Sequence, residues 1–97
     1  MYNRSFFETF RKAVTTAGTA EQLHTGLTIP DGFQLVVKAL DGNAGDVEIG
    51  NSKANAESSR AFILRGGQSK GFYLNNANLI WIDVTTSGEG VICCVEQ

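Results

Sequence analysis

Histidine, proline, methionine and tryptophan each occur once in this chain, and its two cysteines are neighbours. Whole classes of chemistry go with them. A nucleophile activated by an oriented imidazole, or a metal held by several His and Cys ligands, needs more than His24 beside an adjacent thiol pair. Cys93 and Cys94 lie in an apolar strand-like run, where successive side chains point to opposite faces and cannot easily bond each other. The expectation is one thiol in the core and one on the other face, both reduced.

Charge is also scarce. Charged residues make up 19% of the chain, the net charge is −2, and the eight Lys and Arg are scattered from Arg4 to Lys70. Nucleic acid and anionic membranes both need a concentrated positive field, so neither is an expected partner. No apolar stretch approaches the roughly 18 residues of a membrane span, and Met1 to Lys12 lacks the apolar core of a signal peptide. Synthesis in the cytoplasm is therefore expected.

What the chain does have is glycine, 11 residues of it, and apolar residues at 42%. Ninety-seven residues make one domain around one core. Three runs, Phe33 to Leu40, Leu79 to Thr85 and Gly90 to Val95, are rich in β-branched and aromatic residues and are bounded by turns. Pro30-Asp31-Gly32 and Asp41-Gly42-Asn43-Ala44-Gly45 read as turns, and Asp46 to Gly50, Ala61 to Arg65 and Lys70 to Asn75 as short strands. Glu21 to Ile29 alternates as a half-buried strand, or one broken near Gly26; Asn51 to Arg60 reads as a polar surface loop. The run Phe33 to Leu40 is apolar on both faces, which predicts cover on both. In Leu79 to Thr85, Ile80, Ile82 and Val84 face one way and Leu79, Trp81 and Asp83 the other. The pattern predicts an all-β, antiparallel sandwich or jelly-roll-like barrel of seven to eight short strands.

The N-terminal segment, residues 1–12, stands apart from the β domain of residues 13–97. Ser5 with Glu8 matches a capping box, and Phe6, Phe7 and Phe10 then share one side of a short helix. The competing reading is an extended arm. Either way, the rings must dock on this domain or on a neighbouring chain.

A catalytic constellation is missing. His24 reads as a surface or interface histidine, and the carboxylates lie mostly in turns with no spacing that pairs two of them. Gly66-Gly67 and Gly88-Glu89-Gly90 precede no Lys-Ser/Thr helix start and are turns, not phosphate loops. Neither enzyme activity, cofactor nor metal is expected. Val36, Leu40, Ile63, Tyr73, Leu79, Trp81 and Ile92 cannot all enter one small core, so some must meet a partner.

Ala13-Val14-Thr15-Thr16-Ala17-Gly18-Thr19-Ala20-Glu21-Gln22-Leu23, then Val37-Lys38-Ala39-Leu40 with Val47-Glu48-Ile49-Gly50-Asn51-Ser52, then Leu79 to Val91 follow in order. In pattern and phrasing, this succession resembles small tailed-bacteriophage virion proteins of the capsid decoration or cement type. The resemblance implies a structural subunit on the capsid surface of the virion, made in the host cytoplasm. It further implies a homo-oligomer, with a trimer favoured, that binds the major capsid protein. The surplus apolar residues put the interface at Tyr73, Leu79 and Trp81, and Tyr2, Phe6, Phe7 and Phe10, the segment least like that pattern, read from the residues themselves as a capsid-binding or subunit-swapped arm. A carbohydrate- or receptor-binding module of a tail or fibre is the alternative, with Trp81 or Tyr73 stacking on a sugar.

Overall fold

The computed structural model describes residues 7–97. Tyr2, Ser5 and Phe6 lie outside the described residues. The strands are β1 (Glu8–Ala13), β2 (Glu21–Gln22), β3 (Gln34–Ala39), β4 (Val47–Gly50), β5 (Phe62–Leu64), β6 (Ser69–Phe72), β7 (Trp81–Val84) and β8 (Gly90–Glu96), with one helix, α1 (Lys53–Ala56), between β4 and β5. They form two antiparallel sheets, a first in the order β1-β8-β3-β6 and a second in the order β2-β7-β4-β5. The pairs β1 with β8, β2 with β7, β3 with β6 and β4 with β5 nest inside one another like a single long hairpin. Rolling that hairpin adds the contacts β8 with β3 and β7 with β4 and splits it into two layers. This is the jelly-roll arrangement.

Alternation fills the space between the layers. Leu35, Val37 and Ala39 of β3, Val91, Cys93 and Val95 of β8, and Ile82 and Val84 of β7 are buried, with Val47, Ile49 and Leu64 opposite. Full burial of each larger side chain contributes about 1.5–3 kcal/mol. The adjacent thiols divide as expected: Cys93 is in the core, Cys94 is half-buried on the outer face, and both are free. Burial pushes the Cys93 thiol up to about 12. Pro30-Asp31-Gly32 is a turn closed by the Phe33 N–H donating to the Pro30 carbonyl at 3.1 Å, and Gly32 holds the positive φ of 85° it requires.

Three expectations need correction. Residues 8–13 are strand rather than helix: pairing with β8 holds Phe10 opposite Cys93 and Lys12 opposite Val91 on the core side, and Thr9 and Arg11 on the outside. A cross-strand ladder outweighs the local cap signal, because a helix this short has little stability of its own. Within 51–60 the chain forms α1, whose N-cap Ser52 accepts from the Asn55 N–H. Finally, β3 is covered on one face only, since Gln34, Val36 and Lys38 on its outer side remain half-exposed. The region from Glu21 to Ile29 follows the broken reading, with β2 ending at Gln22 and an isolated bridge from Thr28 to Asn76.

The second sheet's outer face is covered over β4 and β7, while Ile63 of β5, opposite Glu48, stays 42% exposed. Helix α1 lies against that face so closely that a Cβ on Gly50 would drive into the Ala56 backbone nitrogen. Beside it, the loop 15–20 covers Asp83, whose Oδ1 accepts from the Gly18 and Val84 N–H groups at 2.9 and 2.8 Å. Asp83 is the one buried charged side chain among the described residues. It is hydrogen-bonded, which removes most of the cost of burying it.

Candidate functional site

A sandwich has two open sides, where the edge strands of its layers face each other. On the β1/β2 side, Lys12 Nζ donates to Glu21 Oε1 at 2.7 Å, and the Phe10 ring meets the His24 ring edge-on at 4.9 Å. The lysine, with the Thr15 N–H at 2.8 Å, holds the Glu21 carboxyl below its ordinary range. Polar and aromatic contacts therefore clasp this side.

The β5/β6 side has no such clasp. Phe62, opposite Ile49, and Phe72, opposite Leu35, both point to the core side of their sheets, yet they sit on edge strands with no ion pair between those strands among the described residues. The result is a mainly apolar mouth of about 320 Å³, lined by Phe62, Phe72, Leu74, Leu79 and Ile80, with Asn51, Asn55 and its one charged residue, Arg60, as the polar part. Phe62 and Leu79 are about half exposed, at 49% and 50%. The 3-10 turn Ala77–Leu79, capped by Asn76 accepting from the Asn78 N–H at 2.9 Å, sets Leu79 at the lip. Such a mouth has the shape and polarity to accept one or two apolar side chains.

Of the residues anticipated from sequence, Leu79 lines the mouth and Tyr73 lies beside it. Tyr73, 77% exposed, borders a second hollow of about 270 Å³ that also contains Asp31 and Asn75, and Leu74 is common to the two. Trp81 is on the outer face of the second sheet, opposite Gln22 and Gly50, and is half-buried there. Phe10 packs against the core, and Phe7, just before β1, is 68% exposed at the far edge of the first sheet. Phe10 is thus partly buried within its own domain. Tyr2 and Phe6 fall outside the described residues.

Sequence reasoning missed Phe62, Phe72 and Leu74 as site residues. Their alternation marks a core face, and only the strand order shows that this face ends at an unclosed edge. Among the described residues, no three His, Cys, Asp or Glu side chains come together in a way that could hold a metal ion. No described helix is long and apolar enough to cross a membrane. Compared with protein-family models, curated proteins and solved structures, the chain matches none.

Proposed function

We propose that this chain is a structural protein of a bacteriophage particle, a decoration subunit that binds the major capsid protein on the assembled shell and reinforces it without catalysis. The observation that carries this reading is the apolar mouth between Phe62 and Phe72, open to solvent on a small domain. An apolar side chain from a shell protein entering the mouth would bury both rings. Each insertion contributes about 1.5–3 kcal/mol, weak for one site. A shell offers many equivalent sites, and linked copies convert weak single contacts into firm attachment. The jelly-roll strand order, an architecture found in viral capsid and lectin domains, supports the reading by analogy of fold. So does the resemblance of residues 13–96 to decoration proteins.

The test is co-sedimentation of the purified chain with phage heads lacking it. The unmodified chain should pellet with the heads, and Phe62→Ser combined with Leu79→Ser should stay in the supernatant while keeping its β-sheet circular dichroism. Equal pelleting of both would sink the proposal.

The second reading, a sugar-binding module, rests on the exposed Tyr73 ring beside the hollow with Asp31 and Asn75. An aromatic face next to polar groups suits a carbohydrate. A glycan array decides it: binding lost in Tyr73→Ala would favour this reading over the first.

A further inference from the structure

The two outer faces of the sandwich differ. The second sheet's is covered over β4 and β7 by α1 and loop 15–20, with Ile63 of β5 left exposed, whereas no described helix or strand packs over the first sheet's. That bare face has an apolar middle and separated charges. Its central row is Thr9, Cys94, Val36 and Gly71, the last overlaid by the Gln34 side chain; one end carries Arg11, Ile92, Lys38 and Ser69, and the other Glu96 and Gln34. Continuing the alternation of β1 places exposed Phe7 beside Glu96. Among the described residues, Arg11 and Glu96 have no ion-pair partner, although Arg11 borders a hollow shared with Asp41 and Glu89. Lys38 reaches Asp41 at 3.5 Å.

We infer that this face is a self-complementary interface between two copies of the chain. A two-fold axis lying in the face, across the strands and through the Cys94 row, reverses the strand direction of the second copy. The positive end then lies over the partner's Phe7 and Glu96, and the two Cys94 side chains meet near the axis. Sheets stack about 10 Å apart, within reach of side chains from both sides. The opposite choice, an axis along the strands, sets positive end on positive end. With Lys38 engaged by Asp41, the opposite charges of Arg11 and Glu96 favour the first arrangement, which makes a two-fold pair in place of the trimer the resemblance implies. Four strands about 4.8 Å apart and roughly 20 Å long give a patch of about 400 Å², below the ~800 Å² per partner of a standard stable interface. The pair is therefore weak and concentration-dependent, and it does not rest on the shell-binding reading.

The experiment is cross-linking of the full chain with a short bis-maleimide at high protein concentration and low salt, read on a denaturing gel. Cys93 is buried, so Cys94 is the reporting thiol. The unmodified chain should give a dimer band, absent in Cys94→Ser. Arg11→Glu should weaken the band at least fivefold, and Arg11→Glu combined with Glu96→Arg should restore it. No band beyond that of Cys94→Ser overturns the inference. So does a band indifferent to Arg11→Glu, or one that the double reversal fails to restore, in each case with native circular dichroism.

Discussion

Lys12 and Glu21 join the two layers of the sandwich at one side through a 2.7 Å ion pair, and the side across from it, between Phe62 and Phe72, has no counterpart among the described residues. One edge is clasped by a part-exposed ion pair and an aromatic contact. The other leaves apolar rings to water, where a partner gains by covering them. This difference between the sides sets the β5/β6 side apart as the candidate site.

The clasp has a pH signature. Because Lys12 and the Thr15 N–H hold the Glu21 carboxyl below its ordinary 4.5, folding gains from the ionised form. That gain is complete above the ordinary value and is lost as pH falls through the lowered one. Glu21→Gln should cost roughly 0.5 kcal/mol near neutrality, a figure kept small by solvent screening at this part-exposed pair. The cost should fade in acid, as urea melts at several pH values would show.

Glu48 behaves in the opposite sense. Burial first, then the charges of Asp83 and Asp46, raise its carboxyl above the ordinary 4.5. The protonated form is favoured in the fold, so its contribution is present in acid and is lost as pH rises through the raised value. Glu48→Gln should stabilise the chain near neutrality by on the order of a few tenths of a kcal/mol. That advantage should vanish at low pH in the same melts.

Gly50 is needed for space. A side chain there meets the α1 backbone, which cannot swing aside as a flexible side chain would. Gly50→Ala should therefore destabilise by about 1–3 kcal/mol, as overpacking does. Thermal melts should show the loss, and Gly42→Ala, where open space surrounds the glycine, should show far less.

The paired cysteines should titrate separately. The Cys93 thiol, up at about 12 and enclosed, should resist a chromogenic disulfide reagent in the native protein. Cys94 should react, slowed by burial, which heads the causes that raise its thiol. One thiol per chain is expected natively and two in denaturant, and Cys94→Ser should leave none natively.

Much of the fold was legible in the residues. Ile80, Ile82 and Val84 facing inward, Cys93 and Cys94 divided between faces, and Gly32 in its turn all follow from alternation and backbone freedom. The N-terminal strand was less so, because Phe7 and Phe10 suit a helix face as well as a strand, and only the partner Cys93 decides between them. Helix α1 hid in a polar stretch, since its four residues carry little apolar pattern of their own. The mouth was out of reach for another reason. Phe62 and Phe72 are near in sequence, but whether their space is closed depends on which strands end each sheet.

The nested pairing has a mechanical consequence. Thr9 meets Cys94 across almost the whole chain, so the outermost pair cannot register until the last strand exists. Long-range pairing of this kind costs loop entropy before it returns contacts, which makes for slow closure. Glu8 and Val95 lie side by side at one end of the first sheet, so a force pulling them apart would open the β1–β8 ladder one rung at a time. Its rungs would not share the load. The subunit should therefore yield to tension at its ends far more readily than to a load carried through its middle strands.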